Sequence, residues 1–229
     1  VIPLPQLLGM SMEYGPDSMR RPVEIEFACN VNADRTADFY LLQIRPIVDS
    51  KQMLDEDVAS IPDSRCLLRS HRSLGHGVCE DVCDVVYVKY DDDFTAMNNP
   101  RVADDIERIN RKFLADDRGY VLVGPGRWGS SDSWLGVPVK WPHISAARLI
   151  VEVALKNYRV DPSQGTHFFQ NLTSFGVGYF TIDNNTGDGR FRKEHLDSME
   201  AIEETENGRH GRFGKAIRIR MDGMKQEGE

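Results

Sequence analysis

Apolar and acidic residues alternate along Val23-Glu24-Ile25-Glu26-Phe27-Ala28, the two-residue period of a half-buried strand. A second strand candidate, Phe39 to Arg45, follows across the polar turn Asn30 to Asp38, so the pair reads as a β-hairpin. Ahead of it, Leu4, Leu7, Leu8 and Met12 recur at helical spacing and predict a short amphipathic helix over 4–14, ended by Gly15-Pro16-Asp17. Asp49 to Ser64 is polar, contains Pro62 and has little periodicity. It is read as a linker over 49–64 between a first domain, 1–48, and a second, 65–229.

Beyond the linker the pattern alternates strands with helices. Val85 to Val88 is a strand, and Pro100 to Leu114 is a helix with Val102, Ile106, Ile109 and Phe113 on one face, Asn98 or Asn99 as its cap and Pro100 near its first turn. Tyr120 to Val123 is a strand that runs into the glycine-rich segment Gly124 to Asp132, and Leu149 to Val153 is a further strand. A helix over Thr166 to Ser174, a strand over Val177 to Ile182, an acidic helix and a basic strand complete the chain. The alternation predicts an α/β fold, with α+β as the other possibility. Glu194 to Glu206 holds six acids and no Lys or Arg, while Gly208 to Met221 holds five bases and no acids; the two runs are expected to solvate or pair with one another.

Composition narrows the classes. With 40% hydrophobic and 28% charged residues in 229, the chain can build a sizeable core, which excludes disorder, collagen and a coiled coil. A formal charge of −8 argues against broad adhesion to nucleic acid or an anionic membrane, but a few local Arg suffice for a phosphate ligand. The longest apolar stretches, such as Leu149 to Leu155 with Glu152 inside it, fall far short of the roughly 20 residues that span a bilayer. The first residues, Val1-Ile2-Pro3-Leu4-Pro5, carry neither a starting Met nor the features of a signal peptide, so the chain is expected to be cut from something longer. Four Cys are too sparse for a disulfide scaffold and are read as free thiols of a cytoplasmic protein.

The sharpest chemical constellation is in the hairpin. The two-residue period sets Glu24 and Glu26 on one face of the first strand and Gln43 and Arg45 on one face of the second. Such a set offers hard oxygens to Mg²⁺ beside an Arg that grips phosphate, or else a plain cross-strand ion pair. The helix, the acidic strand and the final Leu42-Gln43-Ile44-Arg45-Pro46 resemble the closing piece of the ATP-grasp domain of phosphoenolpyruvate synthases and pyruvate phosphate dikinases. That resemblance, over about residues 4 to 47, implies ATP and Mg²⁺ as cofactors, with Glu26 and Gln43 at the metal and Glu24, Gln43 and Arg45 toward the nucleotide phosphates. It also implies that the rest of the ATP-grasp domain is a partner from upstream in a longer parent chain.

A second constellation is Asp161-Pro-Ser-Gln-Gly-Thr-His167-Phe-Phe-Gln-Asn-Leu-Thr-Ser-Phe-Gly-Val177, in which a His opens a helix after a small-residue turn. Free N–H groups and the positive end of the helix dipole favour an anion there, as a phosphohistidine requires. The segment resembles the swivelling phosphohistidine domain of the same enzymes. The resemblance makes His167 the phosphoryl carrier, with Thr166 beside it, and implies pyruvate as a possible acceptor. Phe168 and Phe169 stand where that family has small residues, and Gln164 replaces a Gly.

In the third candidate, Gly126 and Gly129 permit close backbone approach, and Arg127 and Ser130 are of a type that contacts phosphate. The alternative is a structural turn with Trp128 and Trp134 packed beneath it. His71, His76, Cys79 and Cys83 are of zinc-ligand type, but their spacing matches no common zinc pattern, and Cys79 and Cys83 are read as buried structural thiols. His143 is a weaker carrier candidate than His167, and His195 and His210 are read as surface residues.

Overall fold

In the computed structural model, residues 3, 5–10, 23–32, 36–46, 57–90, 94–155, 172, 175–183 and 185–229 are described. The chain divides into two compact units, Val1–Asp49 and Ser50–Glu229. Its content is mixed α/β, rich in strands and poor in helices. No helix among the described residues is long and apolar enough to cross a membrane.

In the first unit a helix, α1, spans residues 5–10. The hairpin follows, with β1 (Val23–Val31) antiparallel to β2 (Ala37–Pro46). Pro46 closes the second strand, where a missing N–H costs the ladder nothing. Phe27 and Phe39 stack with ring centroids 5.2 Å apart. A bulge follows Glu26, so that Glu26 is opposite Gln43 while Phe27 is opposite Leu41.

The second unit is built on one curled sheet. Its elements run β3 (Leu68–Arg69), β4 (Arg72–Leu74), β5 (Gly77–Val88), α2 (Asn99–Ala115), β6 (Tyr120–Pro125), β7 (Arg127–Trp128), β8 (Gly136–Val137), α3 (Trp141–Ile144), β9 (Ala147–Val153), β10 (Gly178–Ile182), β11 (Arg190–Phe191), α4 (Lys193–Asp197), β12 (Ala201–Glu204), β13 (Gly208–Asp222) and β14 (Glu227–Gly228). The strand order is β12-β13-β5-β6-β9-β10-β4, with β14 on β13. At the centre β5, β6, β9 and β10 are parallel, while β13 and β4 flank them antiparallel. Ser73 N–H of β4 donates to the Gln226 carbonyl, and Ser70 and Gly228 exchange both backbone hydrogen bonds. The β4 end of the sheet is thereby joined to β14, which lies on β13.

The central stretches of the parallel strands are mostly apolar because both faces are covered. The outward residues Val86, Val88, Tyr120, Leu122 and Ile150 pack against Val102, Ile106, Ile109 and Phe113 of α2. Each such fully buried aliphatic or aromatic side chain is worth about 1.5–3 kcal/mol. The inward residues Val85, Val121, Val123, Leu149, Val151 and Phe180 form a second core inside the curl with Ile219 and Met221 of β13. Asn110 pins α2 to the sheet by accepting from Tyr120 O–H and Ala146 N–H, both at 3.0 Å, and donating to the Pro142 carbonyl.

Several expectations shift. The stretch read as a linker falls within the second unit from Ser50 onward, and its described residues, 57–64, pack there, because Val58 and Ile61 are buried and the Arg69 guanidinium donates to both of their carbonyls. The acidic run is helical only over Lys193–Asp197 and turns to strand at Ala201–Glu204. The two charged runs do pair with one another, β12 antiparallel to β13 and Arg209 donating to the Asp197 and Met199 carbonyls, but most of their ions find partners elsewhere. Glu203 takes Arg108 and Lys112 and Glu204 takes Lys89, whereas Arg212 goes to Asp84, Arg218 to Glu80 and Arg220 to Glu229. The helix expected over Thr166 to Ser174 lies, apart from helical Leu172, outside the described residues.

Candidate functional site

In the hairpin the backbone register pairs Glu24 with Arg45 and Glu26 with Gln43. In an antiparallel ladder directly opposed positions share a face, so the four positions singled out in the sequence form one two-by-two block. Glu26 and Gln43 are exposed and lie at the bulge, a device that recurs next to binding sites because it re-aims side chains. Both offer the oxygen donors that Mg²⁺ takes.

In the second unit, the carboxyl ends of parallel strands are where an open α/β sheet places ligands. The Gly124 to Asp132 segment leaves β6 at that edge, and the Asp161 to Val177 segment lies between β9 and β10. His167 and Thr166 are outside the described residues. The glycine-rich segment is committed to its own fold. Gly126 N–H donates to the Val153 carbonyl, Arg127 N–H to Leu135 and Gly129 N–H to Val137, at 3.2, 3.2 and 2.9 Å. Ser130 Oγ donates to the Asp132 carbonyl at 2.7 Å and accepts the Asp132 N–H. The convergent N–H cradle expected of an anion loop is therefore taken up by the turn itself, and Gly126 and Gly129 are needed for φ values of 69° and 74°.

What the turn encloses is Trp128. Its backbone N–H donates to Glu152 Oε1 at 2.9 Å, and its indole N–H to the Val151 carbonyl at 3.2 Å. Tyr179 O–H donates to Glu152 Oε2 at 2.5 Å. Glu152 is thus a buried carboxylate that ties β9, β10 and the glycine turn together, with half-buried Arg127 on the same turn. Trp134, expected beneath the turn, is instead exposed, because the bend at Ser131 to Leu135 swings it outward.

Other expected sites resolve individually. His210 is buried, not at the surface. Its Nε2 lies 2.7 Å from Asp84 Oδ1, and the same carboxylate accepts from Arg212 Nε and Nη2 and from Arg118 Nη1 at 3.0, 3.1 and 3.0 Å. His195 is exposed as expected. His143 Nδ1 accepts the Lys140 N–H, capping α3. Cys29, Cys66, Cys79 and Cys83 are free thiols; Cys79 and Cys83 are half-buried and His71 and His76 exposed. Burial first, and then the Asp81 carboxylate, push the Cys79 thiol up to about 12.

A polar pocket opens at the carboxyl end of β5, where Lys89, Tyr90, Lys193, Asp197 and Arg209 converge. Its ions are mutually engaged: Lys193 pairs with Asp197 at 2.8 Å, Tyr87 O–H donates to Asp197, and Arg209 donates to the Asp197 and Met199 carbonyls. Sequence reasoning missed Glu152 and Asp84 as organising groups. The signal at Glu152 was a single acid within the apolar run Leu149 to Val153, whereas Asp84 shares β5 with Glu80 and Asp81 and does not stand out. Comparison of the chain with protein-family models, with curated proteins and with solved structures finds no match.

Proposed function

We propose that this chain is the C-terminal part of an ATP-dependent phosphotransferase of the phosphoenolpyruvate synthase and pyruvate phosphate dikinase kind. Its hairpin closes a nucleotide site, and His167 carries a phosphoryl group to an acceptor such as pyruvate. The observation that carries this reading is the hairpin register, Glu24 opposite Arg45 and Glu26 opposite Gln43. Glu26 and Gln43 would hold Mg²⁺, which neutralises charge on the transferred phosphoryl group, while Arg45 offers a bidentate donor to phosphate oxygens. Exposed Phe27, Tyr40, Leu41 and Leu42 on the same hairpin fit an edge that the remainder of an ATP-grasp domain would cover. The cytoplasm, where ATP is abundant and thiols stay reduced, is the compartment that suits this reading.

The test uses the longer protein. Incubation with Mg-ATP labelled on the β-phosphate gives acid-labile, base-stable protein phosphate that disappears in His167→Ala and is strongly reduced in Glu26→Gln. Absence of label from a protein that still binds ATP defeats the carrier assignment.

A second reading has a specific observation in its favour, the internal use of the Gly126, Arg127 and Gly129 N–H groups. Under it the chain completes a nucleotide-binding domain and transfers nothing. ATP binding that survives His167→Ala without any phosphoenzyme distinguishes this case.

A further inference from the structure

Among the described residues, the core inside the curled sheet leaves a recess at one side. A cavity of about 650 Å³ lies there, within the range of small-molecule sites, and the mouth of a curled or barrel-like sheet is one of the places where such sites recur. Behind it is the inward row Val85, Val121, Val123 and Leu149 on three adjacent parallel strands, each at most 2% exposed, with half-buried Phe213 and Ile217 packed against that core and lining the cavity. Ile61, Leu67 and Leu68 form one wall.

The roof is an irregularity of β13. Arg212 is opposite Asp84 and Ile217 opposite Val82, so Phe213, Gly214, Lys215 and Ala216 together face the single residue Cys83. Four residues against one lift this stretch off the ladder into an arch, and all four line the cavity. An ordinary β13 would lay its inward side chains on that row and close the space.

The charge around the cavity is one-sided. Among the described residues, Arg65, Lys215, Arg218 and Arg220 line it with one acid, Glu229, in a chain whose formal charge is −8. Arg220 is paired with Glu229 and Arg218 with Glu80. Arg65 and Lys215, both exposed, have no ion-pair partner among the described residues.

We propose that this cavity binds a small amphipathic carboxylate, a medium-chain acyl or comparable apolar body lying against Phe213, Ile217 and Leu67 with its carboxylate between Arg65 and Lys215. The apolar body gains about 25 cal/mol for each Å² taken out of water, and the two cations select the sign of the head group. The site binds and does not react. The nearby Cys66 Sγ donates to Glu229 at 2.9 Å, and burial first, then that carboxylate, push the thiol up to about 11, so no thiolate is present at neutral pH. The proposal is independent of the nucleotide reading, because its residues lie wholly in the second unit.

The test is calorimetric titration of the full 229-residue chain with decanoate, decanol and decyltrimethylammonium, each below its micellar concentration. Decanoate is expected to bind at one site and more tightly than either control. Reversal of both mouth charges, Arg65→Glu with Lys215→Glu, lowers its affinity about tenfold or more, equivalent to about 1.4 kcal/mol. Ala216→Trp, which plugs the cavity from the exposed arch, abolishes binding while the thermal unfolding curve is retained. Absence of decanoate binding, equal binding of the cationic or neutral probe, or affinity unchanged by charge reversal in a folded protein overturns the proposal.

Discussion

Asp84 and His210 meet across the β5–β13 ladder, carboxylate oxygen to ring nitrogen at 2.7 Å, with both side chains almost fully withdrawn from water. Neither residue alone would be tolerated there. A buried carboxylate needs its lone pairs occupied, and Asp84 achieves this by adding Arg212 and Arg118 to the histidine. The His210 ring also lies 5.1 Å from Phe113 of α2, so the cluster joins β5, β13 and the helix layer.

Asp84→Asn should therefore destabilise the second unit by about 3–5 kcal/mol, the cost of breaking a buried pair from one side. Arg118→Ala, at a partly exposed partner, should cost much less. Urea unfolding of both variants, followed by circular dichroism, measures the two.

Gly124→Ala tests whether the glycine-rich turn is a packing device. A Cβ at that position would stand 2.4 Å from Trp128 Cζ2. Overpacking of this kind costs about 1–3 kcal/mol, and the Trp128 fluorescence should shift as the ring is displaced. An alanine that is silent in both measurements would show that Trp128 does not fill the space under the turn.

Tyr179→Phe removes one of the donors to buried Glu152 and should cost about 1–3 kcal/mol, with the loss concentrated near the glycine turn. Hydrogen exchange of the Trp128 amide, which donates to the same carboxylate, is the local readout.

Glu203 predicts an acid-side dependence. Burial by itself would raise its carboxyl, but Lys112 and Arg108 hold it below the ordinary Glu range. A lowered folded-state value means that the stabilisation is complete above the unfolded value and is lost as pH falls through the folded one. Glu203→Gln should cost about 1 kcal/mol at neutral pH, given how exposed both cations are, and should flatten the acid limb of a stability profile as pH falls below the ordinary Glu value of 4.5.

Cys66 predicts the opposite limb. Its raised value means that folding is favoured while the thiol is neutral and is penalised as pH rises from about 9 toward about 11. Alkylation followed by peptide mass spectrometry should find Cys66 inert at pH 8, whereas a Cys66→Ser variant should lose part of the alkaline decline in stability.

Strand and helix positions were legible wherever burial follows a simple period. The hairpin was legible because the alternating residues Val23 to Ala28 set Glu24 and Glu26 on one face, although its cross-strand pairings and the bulge after Glu26 were not, and α2 was legible because Val102, Ile106, Ile109 and Phe113 mark one stripe. What periodicity cannot report is which polar residue the far end of the chain will meet. His210 looked like a surface residue because the basic run around it is hydrophilic; it is buried because Asp84, 126 positions earlier, is waiting across the ladder. The same limit applies to the Gly124 to Asp132 segment. Its glycines signalled a special backbone, but whether the N–H groups face a ligand or the carbonyls of Val153, Leu135 and Val137 depends on neighbours that the local sequence does not name.

The strand order has a consequence for how the second unit is made. β5 lies between β6, its neighbour in sequence, and β13, which is synthesised more than a hundred residues later, and β4 waits for the 226–228 turn. On a ribosome the parallel strands can associate and α2 can cover their outer side, but the curl cannot close until residues 226–228 have emerged. Until then an apolar sheet edge and the valine row behind the cavity are open to other chains. Folding should be slow, governed by long-range loop closure, and truncation within β13 should yield aggregation in place of a smaller stable domain.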